Sequence, residues 1–95
     1  CRDGMGGTLH SLDEYADFDL FVEFRLPPAG NNGLVLRYPL DQPGADGAYD
    51  SMCELQVLDD GHEQYKTIDP RQAHGSAYGM IPAERGYLRN AGEWN

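Results

Sequence analysis

The sequence predicts an all-β fold built as a sandwich of antiparallel sheets. Two segments, residues 17–25 and 52–58, alternate apolar and polar side chains with the period of two that is typical of half-buried strands. No segment keeps a helical period, and long loops separate the short apolar runs. Because a sheet that is apolar on one face must cover that face, these observations favour a sheet sandwich.

The first predicted strand is residues 17–25, "DFDLFVEFR". Its apolar side is formed by Phe18, Leu20, Val22 and Phe24. The strand should end at "LPP", because proline donates no ladder hydrogen bond. The following "AGNNG" tolerates positive φ, so Asn32-Gly33 is the predicted hairpin turn into a second strand at 34–38.

The remainder of the chain predicts short strands between long loops. Residues 39–51 are rich in Pro, Gly, Asp and Ala and predict a surface loop. The third strand, 52–58, places Cys53, Leu55 and Val57 on its apolar side, with Glu54 and Gln56 opposite. "SAYGMI" predicts a further short strand between two more loops. Trp94 would open another strand, so we expect the domain to extend beyond residues 1–95.

Composition narrows the classes of function. Seven basic and sixteen acidic residues give a formal net charge of -9, which disfavours nucleic acid and anionic membrane surfaces as partners. The longest apolar runs are far too short to span a membrane. The acidic excess is typical of a soluble surface, and a carboxylate cluster holding calcium is the alternative. Cys1 and Cys53 permit one disulfide without indicating a compartment.

Familiar catalytic motifs are absent from the sequence. "HEQYK" has Lys66 where a zinc-binding HExxH helix needs its second histidine, and there is no CxxC pair, P-loop or GxSxG nucleophile motif.

Polar residues on the non-core side of the predicted strands, together with residues of the later loops, form a candidate sugar site. Aromatic planes and forked polar groups are what a sugar ring requires. Each residue also has a plainer interpretation: a solvated strand face, a structural histidine, a core aromatic residue or an Asp-Asp-Gly turn. The candidates are Arg37, Glu54, Gln56, Asp59, Asp60, His74, Tyr78 and Trp94.

Four strings occur together in order along nearly the whole chain: "GGTL", "EYADFDLFVEFRLPPAGNNGLVLRYPL", "MCELQVLDD" and "HGSAYGMIPAERGYLRNAGEWN". In combination they resemble the 3-keto-disaccharide hydrolase domain family. The resemblance implies a jelly-roll sandwich of the concanavalin A or laminin G type with a carbohydrate site on its concave face. It also implies that residues 1–95 form the N-terminal and central part of one longer domain.

The activity implied by the resemblance is cleavage of a glycosidic bond in a sugar oxidised at carbon 3. A ketone there acidifies the C2 proton, so that a base can form an enolate, which expels the C1 substituent before water adds back. Glu54 or His74 is the candidate base and Arg37 the candidate partner of the oxyanion. The candidate substrate contacts are Asn32, Gln56, Asp59, Tyr78 and Trp94, and Asp59 and Asp60 are candidate ligands of a divalent cation such as calcium.

Two other functions are compatible with the same residues. A non-catalytic carbohydrate-binding module could use the same concave face, since jelly rolls host both roles. An interaction domain could pair through exposed strand edges, and residues 1–95 in isolation are expected to self-associate. The resemblance also implies a periplasmic or extracellular location.

Overall fold

The computed structural model describes residues 7–38 and 52–95. Within them lie two strands, β1 (Asn31–Leu36) and β2 (Cys53–Leu58), and two single-turn 3-10 helices, Glu63–Tyr65 and Pro70–Gln72. These described residues contain no α-helix. The predicted all-β class is therefore confirmed at this coarse level.

β1 and β2 pair antiparallel and form the sheet that organises the molecule. The register runs from Asn31 opposite Leu58 to Leu36 opposite Cys53. The free edge of β2 is covered by the segment 74–78, which runs antiparallel to it. The Gln56 amide donates to the Ser76 carbonyl at 3.0 Å, and the Tyr78 amide donates to the Glu54 carbonyl at 2.9 Å. β2 is therefore the central element, with backbone partners on both sides.

The chain does not turn at the predicted position. The turn lies at residues 27–30, where the Gly30 amide donates to the Pro27 carbonyl at 2.9 Å and Ala29 has a φ of 57°. Asn32 and Gly33 lie inside β1 instead. The reason is a distant contact: the Asp59 carboxylate accepts a hydrogen bond of 2.9 Å from the Ala29 amide and so fixes the earlier turn.

Residues 17–25 do not form the predicted strand, and most of them are exposed. Only the end of this segment finds a partner. Phe24 and Asn95 exchange two backbone hydrogen bonds of 2.8 and 2.9 Å, and the Gly92 amide donates to the Leu26 carbonyl at 2.8 Å. The period-two pattern at 17–25 thus lacks the neighbouring strand that regular pairing requires.

"SAYGMI" is also not a strand. Ala77 makes single bridges to Leu55 and to Ile81, and residues 78–80 form a tight turn between the two bridged positions. The predicted loop at 39–51 lies outside the described residues.

The interior is small and largely polar. Its buried apolar side chains are Val57, Leu58 and Ala73, and its buried polar residues are Gln56, Asp59, Asp60, His74 and Ser76. The predicted two faces of β2 are observed, but burial does not follow them: Leu55 is 42% exposed, whereas Gln56 is 2% exposed. Burial instead increases toward the C-terminal end of β2, because residues 73–76 and the turn at 27–30 pack against that end.

Two further predictions concern membranes and disulfides. Among the described residues, no helix has the length and apolar character to cross a membrane. Cys53 carries a free thiol. Cys1, the other cysteine that a disulfide would need, lies outside the described residues.

Candidate functional site

An open cleft of about 410 Å³ lies on one face of the sheet, lined by Asn31, Met52, Glu54, Gln56 and Tyr78. Glu54 and Gln56 share this face because they are two residues apart on β2. Asn31 joins them from β1, since its direct partner, Leu58, points to the same side. Tyr78 comes from the segment on the other edge of β2. Three neighbouring stretches of backbone thus supply the lining.

The carboxylate of Glu54 lies against Gly33 of β1. A Cβ atom built on Gly33 would overlap Oε1 of Glu54 and would lie 2.6 Å from its Cδ. Within the described residues, neither a hydrogen bond nor an ion pair engages this carboxylate. It is therefore available to accept a proton or a hydrogen bond from a ligand.

Two amide side chains form a pair beside Glu54. Nε2 of Gln56 donates to Oδ1 of Asn31 at 3.2 Å. Gln56 is almost fully buried, so its side chain is held in place, whereas Asn31 is exposed. The exposed Asn31 can therefore offer its amide hydrogens to hydroxyl groups of a ligand, and the buried Gln56 holds Asn31 in place.

Tyr78 supplies an aromatic wall. Its backbone amide is bonded to Glu54, and its hydroxyl accepts a hydrogen bond of 2.9 Å from Nε2 of Gln72. Contacts at both ends limit the rotation of the ring, which is 41% exposed. A partly exposed, fixed ring can pack against the C–H face of a sugar.

His74 lies in a different environment, packed between two aromatic rings. The centroids of Phe24 and Tyr87 each lie 5.6 Å from that of His74. Its Nδ1 accepts a hydrogen bond of 3.2 Å from the Leu58 amide. Burial lowers the pKa of His74, opposed by the nearby charge of Asp60. A neutral histidine whose acceptor nitrogen already receives a hydrogen bond acts here as a structural group.

The acidic pair Asp59-Asp60 also supports the fold. The Asp59 carboxylate is bonded to the turn at Ala29. Oδ2 of Asp60 accepts from the His74 amide at 3.2 Å and from Nε of Arg85 at 3.0 Å, and the Asp60 carbonyl accepts from Nη2 of Arg85 at 2.7 Å. Across residues 7–38 and 52–95 there is no group of three or more side chains able to hold a metal ion.

The remaining predicted residues do not line the cleft. Asn32 points to the opposite face of the sheet, because its partner in the register is Val57. Trp94 is covered on one side by the guanidinium of Arg25, 5.4 Å from the ring centroid. Arg37 follows β1 with a φ of 63° and an exposed side chain. The described part of the chain shows no ion pair between Arg37 and Glu54.

The structure therefore brings together three predicted residues, Glu54, Gln56 and Tyr78, and adds Asn31 and Gly33, which sequence reasoning missed. Asn31 was missed because the sequence did not indicate where β1 starts. β1 begins at Asn31, and its register with β2 places Asn31, rather than Asn32, on the face of the sheet that carries Glu54. Arg85, the partner of Asp60, had no local signal in the sequence.

Comparison with known proteins shows which family the chain belongs to. Residues 1–95 match the model of the 3-keto-alpha-glucoside-1,2-lyase-like domain. The chain belongs to this family. It is also 34% identical, over 99% of its length, to a 3-keto-disaccharide hydrolase of Bacteroides thetaiotaomicron. The match spans 36% of that relative's length. The predicted family is thereby confirmed, and the chain corresponds to part of the relative.

Proposed function

We propose that the cleft binds a glycoside oxidised at carbon 3 and that Glu54 acts there as the general base. One observation carries the proposal: in a chain of this family, Glu54 presents a carboxylate without a protein partner among the described residues, at the floor of a cleft lined by amides and a tyrosine. The family and the relative support a substrate of the glycoside class.

The proposed reaction begins at C2 of the sugar. The C3 ketone stabilises the negative charge that forms when Glu54 takes the C2 proton, and the enolate electrons then form the C1–C2 double bond. The C1–O bond breaks, and the departing oxygen takes up a proton. Addition of water then places hydroxyl on C1 and returns a proton to C2, so elimination followed by hydration amounts to hydrolysis.

Glu54 is the better supported of the two candidate bases. The carboxylate of Glu54 faces the open cleft, whereas the acceptor nitrogen of His74 is bonded to the backbone of β2 in a buried position. A base must approach to about 3 Å from the proton that it removes. His74 would first have to break its bond to the Leu58 amide.

The other residues have supporting roles in the proposal. Asn31 binds a sugar hydroxyl through its exposed amide, Gln56 orients Asn31 from its buried position, and Tyr78 packs against the ring. Arg37 does not line the cleft, but it lies two residues after Val35, the direct partner of Glu54. We assign its long, exposed side chain the role of reaching a bound sugar and donating to the oxyanion on O3.

A jelly-roll sandwich is part of the same proposal. Apart from Asn32 at its end, the face of the sheet opposite the cleft is apolar: Leu34 and Leu55 are paired across the strands, and Leu55 is exposed. A second sheet packed there would cover these side chains. The cleft would then lie on the outer face of one layer.

The test is release of monosaccharide from a 3-keto disaccharide, measured with the protein at its full natural length. We expect release from the oxidised sugar and none from the unoxidised one. Glu54→Gln keeps the shape but cannot act as a base, and should lower the rate on the order of 10²- to 10⁴-fold. Glu84→Gln, at an exposed carboxylate outside the cleft, is the matched control and should leave the rate unchanged.

Two outcomes would contradict the proposal. A Glu54→Gln variant as active as the wild type would remove Glu54 from the mechanism. Binding of the keto sugar without release, even by the wild type, would assign the cleft to a non-catalytic carbohydrate-binding module.

A further inference from the structure

We propose that Gly33 is a positioning residue for the reaction, because the absence of a side chain there lets the Glu54 carboxylate lie on the floor of the cleft. The inference rests on the proposed function, in which Glu54 is the base. It assigns a role to a residue that does not touch the substrate and acts only through Glu54.

The register explains how two residues that are not direct partners come to touch. Gly33 is opposite Gln56, and Glu54 is opposite Val35. All four share the face of the cleft, so Gly33 is the diagonal neighbour of Glu54, within reach of a long side chain. The carboxyl group occupies the space above Gly33 that a Cβ atom would fill.

The backbone gives no other reason for a glycine at this position. Four glycines among the described residues have a positive φ, namely Gly75, Gly79, Gly86 and Gly92, and Gly33 is not one of them. Glycine in the interior of a strand weakens the strand and commonly marks a close approach of another group. At Gly33 the approaching group is the Glu54 carboxylate.

A side chain at residue 33 would move the base rather than break the sheet. The atoms that a methyl group would overlap belong to the mobile end of Glu54, and the backbone is not among them. Glu54 would swing away from the floor of the cleft and from the Asn31–Gln56 amide pair. Proton transfer depends steeply on the distance between base and carbon, so the rate should fall while binding by the other residues persists.

The experiment compares Gly33→Ala with Gly61→Ala in the full natural protein acting on a 3-keto disaccharide. Alanine at 61 meets only one atom, Oδ1 of Asp59 at 3.9 Å, and serves as the matched control. We expect Gly33→Ala to lower kcat on the order of 10²-fold with a smaller change in KM, and Gly61→Ala to change neither. Unchanged kcat in Gly33→Ala would overturn the inference.

A second substitution separates positioning from a general structural effect. Glu54→Asp shortens the side chain by one methylene group, so it should lower kcat in the wild type but raise kcat in the Gly33→Ala background, where the shorter acid clears the new methyl group. An equal loss in both backgrounds would overturn the inference. If instead Glu54→Gln retains full activity, the proposed function itself fails, which is a distinct result.

Folding of the variants provides an independent readout. If Gly33→Ala is poorly folded, the double variant Gly33→Ala/Glu54→Ala should recover the thermal midpoint of Glu54→Ala, because the group that the methyl overlaps has been removed. A double variant that is no better folded than Gly33→Ala would show that Glu54 is not what Gly33 accommodates, and would overturn the inference.

Discussion

Glu54 and His74 can both take up a proton, and their surroundings separate their roles. Glu54 lies over a glycine in an open cleft, with its carboxylate unengaged by the described residues. His74 lies between aromatic rings, with its acceptor nitrogen bonded to β2. The first arrangement suits proton transfer to and from a ligand, and the second holds the segment 74–78 against the sheet.

The environment of His74 predicts a pH dependence of stability. Burial makes its pKa lower in the folded protein than the ordinary value of 6.5. As the pH falls below that value, protons bind preferentially to the unfolded chain, so the free energy of unfolding should decrease until the folded pKa is reached. The groups around the ring are Phe24, Tyr87 and the carboxylate of Asp60, which is paired with Arg85.

The measurement is urea unfolding of the wild type and His74→Asn between about pH 7.5 and about pH 5. Asparagine keeps an acceptor for the Leu58 amide but does not titrate, so the variant should lose less stability over this range. His62→Asn, at a half-buried histidine that also accepts a backbone hydrogen bond, is the matched substitution that measures the effect of replacing a histidine by asparagine as such. An unchanged slope in His74→Asn would contradict the assignment.

Asp69 gives a smaller, exposed contribution to the pH dependence at lower pH. Hydrogen bonds from Arg71 hold the pKa of Asp69 at about 2, below its ordinary 3.8. A carboxylate with a lowered pKa stabilises the fold above its unfolded value, and this contribution is lost as the pH falls through about 2. The Asp69 effect begins below its ordinary pKa of 3.8, outside the pH range used to measure the effect of His74.

Residue types on a strand face were predictable, but their partners were not. The alternation in β2 correctly places Glu54 and Gln56 together, because side-chain direction in a strand depends only on sequence position. The burial of His74 depends on docking of residues 73–76 against β2. The pairing of Asp60 with Arg85 spans 25 residues. Neither contact has a local signature.

The positions of the two strands also depend partly on local sequence and partly on contacts with distant residues. β2 forms where its pattern predicts, because pairing on both edges reinforces the local preference. The dipeptide Asn32-Gly33 is a strong hairpin signal, yet it lies within β1. Asp59 fixes the turn at 27–30 from a position 30 residues away in the sequence, and this contact decides the start of β1.

Removing the Asp59 carboxylate should therefore loosen the turn and destabilise the sheet. Asp59→Ala leaves the Ala29 amide without its acceptor and should lower the free energy of unfolding by about 1–2 kcal/mol. Asp59→Asn retains an oxygen acceptor and should cost less. Chemical denaturation of both variants measures the difference. Equal stability of the wild type and Asp59→Ala would show that the turn does not depend on this contact.

For the whole molecule, a set of motifs spread along the chain was more informative than any single one. The order of four strings identified the family, which the match over residues 1–95 confirms. The residues that line the cleft could be predicted only with the register of β1 against β2, since a shift of one residue exchanges Asn31 and Asn32 between the faces of the sheet. The pattern at 17–25 predicted a strand that the described structure does not contain, because regular pairing needs a neighbour that local alternation cannot specify.

The most direct measurement is exchange of the C2 proton of a 3-keto glucoside in deuterated water, followed by NMR with the protein at its full natural length. The wild type and Glu84→Gln should replace this proton with deuterium far faster than buffer alone. Glu54→Gln should exchange it at nearly the rate of buffer, because no base remains at the floor of the cleft. Exchange by Glu54→Gln at the wild-type rate would contradict the central claim that Glu54 removes the proton.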